Sequence, residues 1–241
     1  MSNSWFKFKQ FTIFQDKTAM KVGTDGVLLG AWTKIDKTYR NILDIGTGTG
    51  LIALMMAQRT NDKVQIDAIE LEEQAALQAK YNFEISSWKN RLQVIHQSIQ
   101  DFSLNSTLKY DLIISNPPFF AHSYPSKDNQ RQMARHTDRL SSDELLLSVQ
   151  NLLKLTGNFS LIIPADKRDC FIAKARTKDL FLMRETSVYP TNKSEKPKRV
   201  LLTFTKQEQV VELNTLVIEP NQRHIYSQDY QNLTKAFYLK F

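Results

Sequence analysis

A glycine-rich segment, Asp44–Gly50, lies directly between a short apolar run that predicts a buried strand and a second one that predicts a helix. Glycines at such a junction let the backbone turn sharply and approach a ligand closely. Their spacing at Gly46, Gly48 and Gly50 is G-x-G-x-G, which differs from the G-x-G-x-x-G of the dinucleotide fingerprint. The segment therefore predicts a strand–loop–helix unit whose loop binds a ligand other than a dinucleotide.

The alternation of strands and helices continues along the chain and predicts an α/β fold. Strands that alternate with helices form a mostly parallel sheet with helices on both faces. The last two strands have no helix between them, so we expect an antiparallel hairpin at the sheet edge. We expect seven strands, at 42–45, 64–69, 92–95, 110–114, 159–163, 181–189 and 199–205, and helices at 51–58, 72–85, 145–155 and 166–178.

Three regions follow from this pattern. Residues 1–40 contain a short apolar alternation that predicts an N-terminal hairpin, followed by a turn-rich stretch at 21–26. Residues 41–206 hold the alternating core, and we expect residues 207–241 to form an extension packed on it. The helix expected at 145–155 opens with a capping candidate, either Ser141 or Ser142.

The composition narrows the class of partner. The net charge is +7, and residues 165–206 alone carry 11 basic and 5 acidic side chains. A basic surface suits a polyanion such as nucleic acid, although it also serves solubility alone. The chain has one cysteine, no secretory signal and no apolar run long enough for a bilayer, so we expect a cytoplasmic protein without a membrane partner. The four histidines show no metal-ligand spacing, and we expect no metal.

Glu70 ends the strand that follows the glycine loop. An acidic residue at this place in a Rossmann-like unit accepts hydrogen bonds from ribose hydroxyls. The alternative is a surface residue that caps the helix beginning near Leu71. The loop and the acid together favour a Rossmann-like cofactor site.

A second motif, Asn116-Pro117-Pro118-Phe119, follows the strand at 110–114 immediately. It therefore lies at the carboxyl end of a strand, where open α/β sheets bind ligands. An amide oxygen and a proline carbonyl can both accept N–H bonds from an exocyclic amine, which frees its lone pair and stabilises developing positive charge. Phe119 can stack on a flat substrate. The motif predicts transfer to a conjugated amino nitrogen, and a purely structural Pro-Pro turn is the alternative.

Basic side chains follow that motif directly and should surround its pocket. Arginine and lysine contacts to phosphate supply affinity for nucleic acid with little sequence information. A solvated loop is the alternative. The candidates for RNA binding are Lys127, Arg131, Arg135, His136 and Arg139, together with Lys196, Lys198 and Arg199 further on.

With Asp44–Gly50, Glu70 and Asn116–Phe119, the chain resembles the N-methyltransferases that carry an N-P-P-[FYW] motif. More specifically, it resembles the bacterial tRNA1(Val) adenine-N6 methyltransferases in the segment Lys21–Trp32, in the phenylalanine of the motif and in three further features. These are Ala134-Arg135-His136, Leu140 and Lys196–Val200.

The resemblance implies a class I methyltransferase fold, S-adenosylmethionine as cofactor, and a monomer that methylates N6 of an adenine in tRNA, adenine 37 of tRNA1(Val). Related enzymes place an acidic residue near Ser98 against the cofactor adenine, and Asp101 is a second candidate. A guanine N2 of rRNA, a protein glutamine N5 and a non-catalytic cofactor-binding module remain as alternatives. The implied cofactor residues are Lys21, Thr24, Asp25, Asp44, Gly46, Thr47, Gly48, Gly50, Glu70 and Ser98.

Overall fold

The computed structural model describes residues 3–117 and 140–240. Strands and helices alternate through most of this range. The strands are β1 Trp5–Lys7, β2 Thr12–Phe14, β3 Asn41–Ile45, β4 Gln65–Glu70, β5 Leu92–His96, β6 Tyr110–Ser115, β7 Leu153–Pro164, β8 Phe181–Tyr189, β9 Arg199–Thr205 and β10 Glu212–Val217. The helices are α1 Thr24–Trp32, α2 Leu51–Arg59, α3 Glu73–Glu84, α4 Ile99–Asn105, α5 Ser142–Leu152, α6 Arg168–Arg176 and α7 Gln228–Thr234.

The main sheet of the described residues has eight strands in the order β10-β8-β9-β7-β6-β3-β4-β5. Only β9 runs antiparallel to its neighbours, β7 and β8. The expected hairpin of β8 and β9 is present, but its position at the sheet edge was wrong. Strand β10 pairs in parallel with β8 and forms that edge, so the count of seven strands was one too low.

The sheet topology brings distant segments to one edge. Strands β3, β4, β5, β6, β7, β8 and β10 all run in the same direction, so their carboxyl ends lie together. Strand β9 runs the other way, and its first residue, Arg199, pairs with Pro164 and therefore lies at this same edge. We call it the carboxyl edge.

Alternate residues of the strands build two cores, one on each face of the sheet. Ile42 and Leu201 belong to the cluster that includes α1, α2 and α7, whereas their neighbours Leu43 and Leu202 belong to the cluster with α5 and α6. Buried parallel strands read as continuous apolar runs because both faces are covered. This two-sided burial agrees with the expected layers of helices.

Helix α1 occupies a stretch that we expected to be a turn followed by an apolar run. Two glycines in nine residues argue against a helix, because each costs about 1 kcal/mol relative to alanine. Packing against α2 offsets that cost. An ideal Cβ on Gly30 would lie 2.5 Å from Met55 Sδ, so the two helices approach closely because residue 30 has no side chain.

The C-terminal segment does more than lie on the core. Beyond β10, helix α7 buries Tyr230, and Phe237 is buried in the same core as α1. The carbonyl of Phe237 accepts a hydrogen bond of 2.8 Å from the amide of Lys9, which follows β1. The two ends of the chain therefore meet on one side of the sheet.

Helix α5 begins at Ser142 and ends at Leu152, three residues before the expected end, because β7 begins at Leu153. Ser141 is its N-cap. The Ser141 hydroxyl accepts from the amide of Glu144, and the Glu144 carboxylate accepts from the amide of Ser141 at 2.8 Å, which completes a capping box. Of the two candidates for the cap, the structure selects Ser141.

We predict that Ser141→Ala lowers the free energy of unfolding by about 1 kcal/mol, because the amide of Glu144 at the start of α5 loses its partner. Urea denaturation followed by circular dichroism measures this. Ser142→Ala is the matched control and should change the free energy of unfolding by less than half as much. Equal effects of the two substitutions would contradict the assignment of the cap.

Candidate functional site

The glycine loop leaves β3 at the carboxyl edge and turns into α2. Gly48 and Gly50 have φ values of 56° and 82°, a left-handed backbone conformation that residues other than glycine rarely adopt. An ideal Cβ on Gly50 would lie 2.5 Å from Phe83 Cε1, whereas one on Gly46 or Gly48 would meet nothing within 4 Å. Gly50 is thus required for packing, and Gly46 and Gly48 border empty space at the carboxyl edge.

The loop is held from below by Asp44, which is fully buried. Its Oδ2 accepts a hydrogen bond of 2.6 Å from Thr47 Oγ1 and one of 3.2 Å from the amide of Ala53. Its Oδ1 has no partner among the described residues. Burial raises the pKa of Asp44 from an ordinary 3.8 to about 7, and its hydrogen bonds reduce that rise.

Glu70 holds the loop from the side. Its Oε2 accepts from the amide of Gly48 at 2.9 Å, and its Oε1 accepts from the amides of Leu71 and Glu72 at 2.9 and 3.0 Å. It does not cap α3, because Glu72 is the N-cap of that helix. The Glu70 carboxylate therefore lies half-buried beside Gly48, and its four lone-pair positions leave room for one further donor.

Asn82 is a third support of the loop that the sequence did not reveal. It is fully buried in α3, and its Nδ2 donates to the carbonyls of Thr49 and Phe14 at 2.8 and 2.9 Å. Its Oδ1 accepts from the amide of Phe14 at 2.9 Å. This side chain fastens the N-terminal hairpin to the glycine loop. An asparagine inside a helix carries no signal of such a role, because both of its partners are distant in sequence.

The loop and the N-P-P-F motif begin on neighbouring strands. Ile45, the last residue of β3, pairs with Ser115, the last residue of β6, and Ser115 Oγ donates to the carbonyl of Ile45 at 2.9 Å. Gly46 and Asn116 are the next residues of the two strands, so the two motifs start side by side. Asn116 is half-buried and Pro117 is buried. Pro118 and Phe119 lie outside the described residues.

The start of α1 lies beside this pair. An ideal Cβ on Gly26 would lie 4.0 Å from Asn116 Nδ2, so this helix approaches the motif closely. Asp25 Oδ2 accepts a hydrogen bond of 2.8 Å from Arg199 Nε. Asp25 was expected at the cofactor and Arg199 at RNA. The structure pairs them with each other at the carboxyl edge, and this ion pair links α1 to β9. Lys21 and Thr24, just before Asp25, are exposed.

Ser98 and Asp101 form one unit at the end of β5. Ser98 is the N-cap of α4, where its Oγ accepts from the amide of Asp101 at 3.0 Å and donates to Asp101 Oδ2 at 2.7 Å. Both side chains lie next to the carboxyl end of β5, one strand beyond Glu70. Either can therefore face a ligand that extends along the edge from the glycine loop past Glu70.

Two of the basic candidates, Lys196 and Lys198, are exposed just before β9. They precede the half-buried Arg199 and therefore lie at the carboxyl edge with Asn116. The other five lie outside the described residues: Lys127, Arg131, Arg135, His136 and Arg139.

Within residues 3–117 and 140–240, no three His, Cys, Asp or Glu side chains are grouped as a metal site requires. In the same ranges, no helix combines the length and the apolar character needed to cross a bilayer.

Comparison with known proteins identifies a family that the sequence matches. Residues 19–158 match the family described as the methyltransferase small domain. A tRNA1(Val) (adenine(37)-N6)-methyltransferase of Flavobacterium psychrophilum is 49% identical over 235 residues, which are 98% of this chain and 99% of that protein.

Solved structures confirm the fold class. A predicted O-methyltransferase from Agrobacterium tumefaciens has a TM-score of 0.68 at 18% identity, over 88% of this chain and 96% of its own. A protein from Listeria monocytogenes assigned to the class I S-adenosylmethionine-dependent methyltransferases has a TM-score of 0.57 at 13% identity, over 88% of this chain and 68% of its own. At such identities the likeness concerns the fold alone, and it confirms the expected class I methyltransferase architecture.

The raised pKa of Asp44 predicts a pH dependence of stability. Between pH 4 and pH 7 the folded chain keeps a proton on Asp44 that the unfolded chain has lost. The free energy of unfolding should therefore fall as pH rises through this window, by up to about 1.4 kcal/mol per pH unit from this group. We predict that Asp44→Asn removes this part of the slope. Urea denaturation of the cofactor-free protein at several pH values measures it.

Asp16→Asn, at an exposed position, is the control for the loss of one carboxyl group and should keep the wild-type slope. If Asp44→Asn and the wild-type protein lose stability in parallel between pH 4 and pH 7, Asp44 does not carry a raised pKa.

Proposed function

The chain belongs to the tRNA1(Val) (adenine(37)-N6)-methyltransferase family, and on that premise we propose that it transfers a methyl group from S-adenosylmethionine to the exocyclic N6 of an adenine in tRNA. One observation carries the proposal. Ile45 pairs with Ser115, which brings the start of the glycine loop next to the start of the N-P-P-F motif. A cofactor on the first and an amine on the second would therefore be neighbours.

The residues of the glycine loop fit the cofactor. The space beside Gly46 and Gly48 admits a ligand that a Cβ would obstruct, and the Glu70 carboxylate stands beside it as an acceptor for ribose hydroxyls. The amides of Gly46 and Thr47 donate to the carbonyl of Ile69, and that of Gly48 donates to Glu70. These three backbone amides are therefore already hydrogen-bonded, and the loop contributes open space for the ligand rather than hydrogen-bond donors.

The remaining cofactor residues surround this space. We propose that Asp44, Thr47 and Gly50 shape the loop, that Ser98 or Asp101 contacts the adenine amine, and that Lys21, Thr24 and Asp25 lie over the bound cofactor. When bound, S-adenosylmethionine supplies an electrophilic methyl group on a sulfonium sulfur.

The N-P-P-F motif then activates and positions the amine. Asn116 Oδ1 and the carbonyl of Pro117 accept the two N–H bonds of the amino group, which disfavours its planar, conjugated form. The nitrogen lone pair would form the new N–C bond as the bond between the methyl carbon and sulfur breaks. The thioether would leave with that electron pair, and the product ammonium would release one proton to water. Phe119 stacks on the base and holds it in line, which lowers the entropic part of the barrier. The reaction as proposed uses no metal ion.

The RNA is held mainly through its phosphates. Lys196, Lys198 and Arg199 of the carboxyl edge, with the five basic residues between 127 and 139, supply cations around the motif. The target adenine has to leave its stack to reach Asn116. We propose that one copy of the chain performs this reaction, on tRNA in the cytoplasm.

The direct test is methyl transfer in vitro. Purified protein, labelled S-adenosylmethionine and unmodified tRNA should yield labelled N6-methyladenosine after nuclease digestion. Asn116→Ala should lower kcat by about 10²- to 10³-fold, because an acceptor that acts in the transition state is lost. Its dissociation constant for S-adenosylmethionine, measured by calorimetry, should stay within a factor of two.

Asn90→Ala, at an exposed position after α3, is the matched control and should keep the wild-type kcat. Label in N2-methylguanosine or in protein glutamine would move the activity to another member of the N-P-P-[FYW] group. No transfer to any RNA would reject the proposal.

The basic residues predict a salt dependence. Replacement of Lys196 and Lys198 by alanine should weaken binding to all tRNAs alike and lower the slope of log K against log salt concentration by about 1 for each lost phosphate contact. Fluorescence anisotropy at several salt concentrations measures the slope. The double variant of Lys80 and Lys89, both exposed on or near α3, is the charge-matched control. An equal loss in both double variants would mean that only net charge matters.

A further inference from the structure

A pocket of about 580 Å³ lies where the N-terminal hairpin, the start of α1 and the C-terminal segment meet. Its size falls within the range of about 300–1,000 Å³ that is typical of small-ligand sites. Four aromatic side chains line it: Phe6, Tyr226, Tyr230 and Tyr238. Three of the four come from the segment after β10, to which the proposed methyl transfer assigns no role. The pocket is therefore a feature to which no role has yet been assigned.

The pocket lies at the carboxyl edge with the proposed active site. Two of its lining residues, Pro190 and Ile218, directly follow β8 and β10, whose last residues, Tyr189 and Val217, pair with each other. Those strands run parallel to β6, so the pocket and Asn116 share one edge of the sheet.

The start of α1 joins the two places. Thr24 lines the pocket, and Gly26, two residues further along the chain, is the residue whose ideal Cβ would lie 4.0 Å from Asn116 Nδ2. Two residues of helix advance by about 3 Å. Thr24 of the pocket lining is therefore less than one helical turn of α1 away from Gly26, which lies beside Asn116.

We propose that this aromatic pocket binds a nucleobase adjacent to the target adenine in the same RNA. The proposal rests on the proposed function and extends it to a second subsite. When one base leaves its stack, its neighbour loses a stacking partner, and an aromatic side chain can replace that partner. The pocket shares the carboxyl edge with Asn116 and is linked to it by the start of α1, so the RNA strand beside the target adenine can reach it.

The aromatic rings are already arranged as a stacking platform. Tyr226 and Tyr230 stack with ring centroids 5.1 Å apart and planes inclined by 25°, and the Tyr230 hydroxyl donates to the Tyr238 hydroxyl at 3.5 Å. Phe6 meets Tyr238 edge to face at 6.2 Å. Tyr230 is buried, whereas Tyr226 and Tyr238 are partly exposed in the pocket. Rings that are held before binding lose little conformational freedom when a base stacks on them.

The charges in the pocket favour a base over a free phosphate. Glu219 lines it, and its Oε1 accepts from the amide of His224 at 2.9 Å. A carboxylate repels a phosphate but can accept a hydrogen bond from a base amino group. The exposed Lys240, also in the lining, and Lys198 at the same edge offer cations to the backbone that carries the base. An aromatic wall with one carboxylate and peripheral cations matches a nucleotide that inserts its base.

Tyr226 is the position that tests the subsite, because its ring is accessible and Tyr230 beneath it is part of the core. We predict that Tyr226→Ala raises the dissociation constant and KM for tRNA about tenfold, the loss expected for one stacked base. The kcat at saturating tRNA and the affinity for S-adenosylmethionine should not change. Tyr226→Phe keeps the ring and should bind tRNA like the wild-type protein. Ile225→Ala, exposed and outside the lining, is the neighbouring control.

A double-mutant cycle with modified RNA isolates the contact. An abasic nucleotide placed immediately 5′ or 3′ of the target adenine should weaken binding to the wild-type protein, on one of the two sides, about as much as Tyr226→Ala does. With that abasic RNA, Tyr226→Ala should cause no further loss, because the partner of the ring is already absent.

Two results, each with an active wild-type protein, overturn this inference and leave the proposed function intact. One is an unchanged tRNA affinity of Tyr226→Ala. The other is that the loss of affinity from Tyr226→Ala adds to the loss from the abasic nucleotide with both abasic RNAs. Absence of methyl transfer by the wild-type protein overturns the proposed function, and the subsite with it. The two failures are therefore distinguishable.

Discussion

One buried carboxyl group, that of Asp44, holds the turn on which the carboxyl edge depends. It binds Thr47 within the loop and the amide of Ala53 in α2, so the end of β3, the loop and the first turn of the helix are fastened at one point. Burial of an ionisable group is costly, and the raised pKa of Asp44 reflects that cost. These contacts fix the side of the glycine loop that faces Asp44, while the other side borders the open space beside Gly46 and Gly48.

Two more polar residues complete the support of that loop from other elements. Glu70 reaches it from β4 through the amide of Gly48, and Asn82 reaches it from α3 through the carbonyl of Thr49. Asn82 also fastens the N-terminal hairpin through Phe14. The hairpin in turn supplies Phe6 to the aromatic pocket. Hydrogen bonds and side-chain packing therefore connect the loop, the hairpin and the pocket, although they are far apart in sequence.

The sequence could predict the features that depend on the pattern of residues within one short segment. The strand before Gly46 and the loop itself are apolar and glycine-rich within a dozen residues, and the hairpin of β8 and β9 follows from the lack of a helix between two apolar runs. The position of Asn116 at the ligand-binding edge follows from the rule that open α/β sheets bind ligands at the carboxyl ends of their strands. Each of these conclusions uses information from a single segment together with a general rule of topology.

The features that were missed depend on contacts between distant segments. Helix α1 contains Gly26 and Gly30, which weaken a helix locally, and the close approach of Leu51 to Gly26 and of Met55 to Gly30 explains them. Strand β10 is mostly exposed and short, and pairing with β8 is what defines it. The pairing of Asp25 with Arg199 joins residues that were assigned to different ligands. No periodicity in the chain records such partners.

The central claim is that the carboxyl edge beside Asn116 methylates N6 of an adenine in tRNA. Nucleoside mass spectrometry of purified tRNA1(Val), taken from cells that lack this gene and from the same cells with the gene restored, tests it most directly. We predict that N6-methyladenosine is absent from the tRNA of the deletion cells and returns on restoration of the intact gene, but not of the gene with Asn116→Ala. Equal amounts of N6-methyladenosine in this tRNA with and without the gene would contradict the claim.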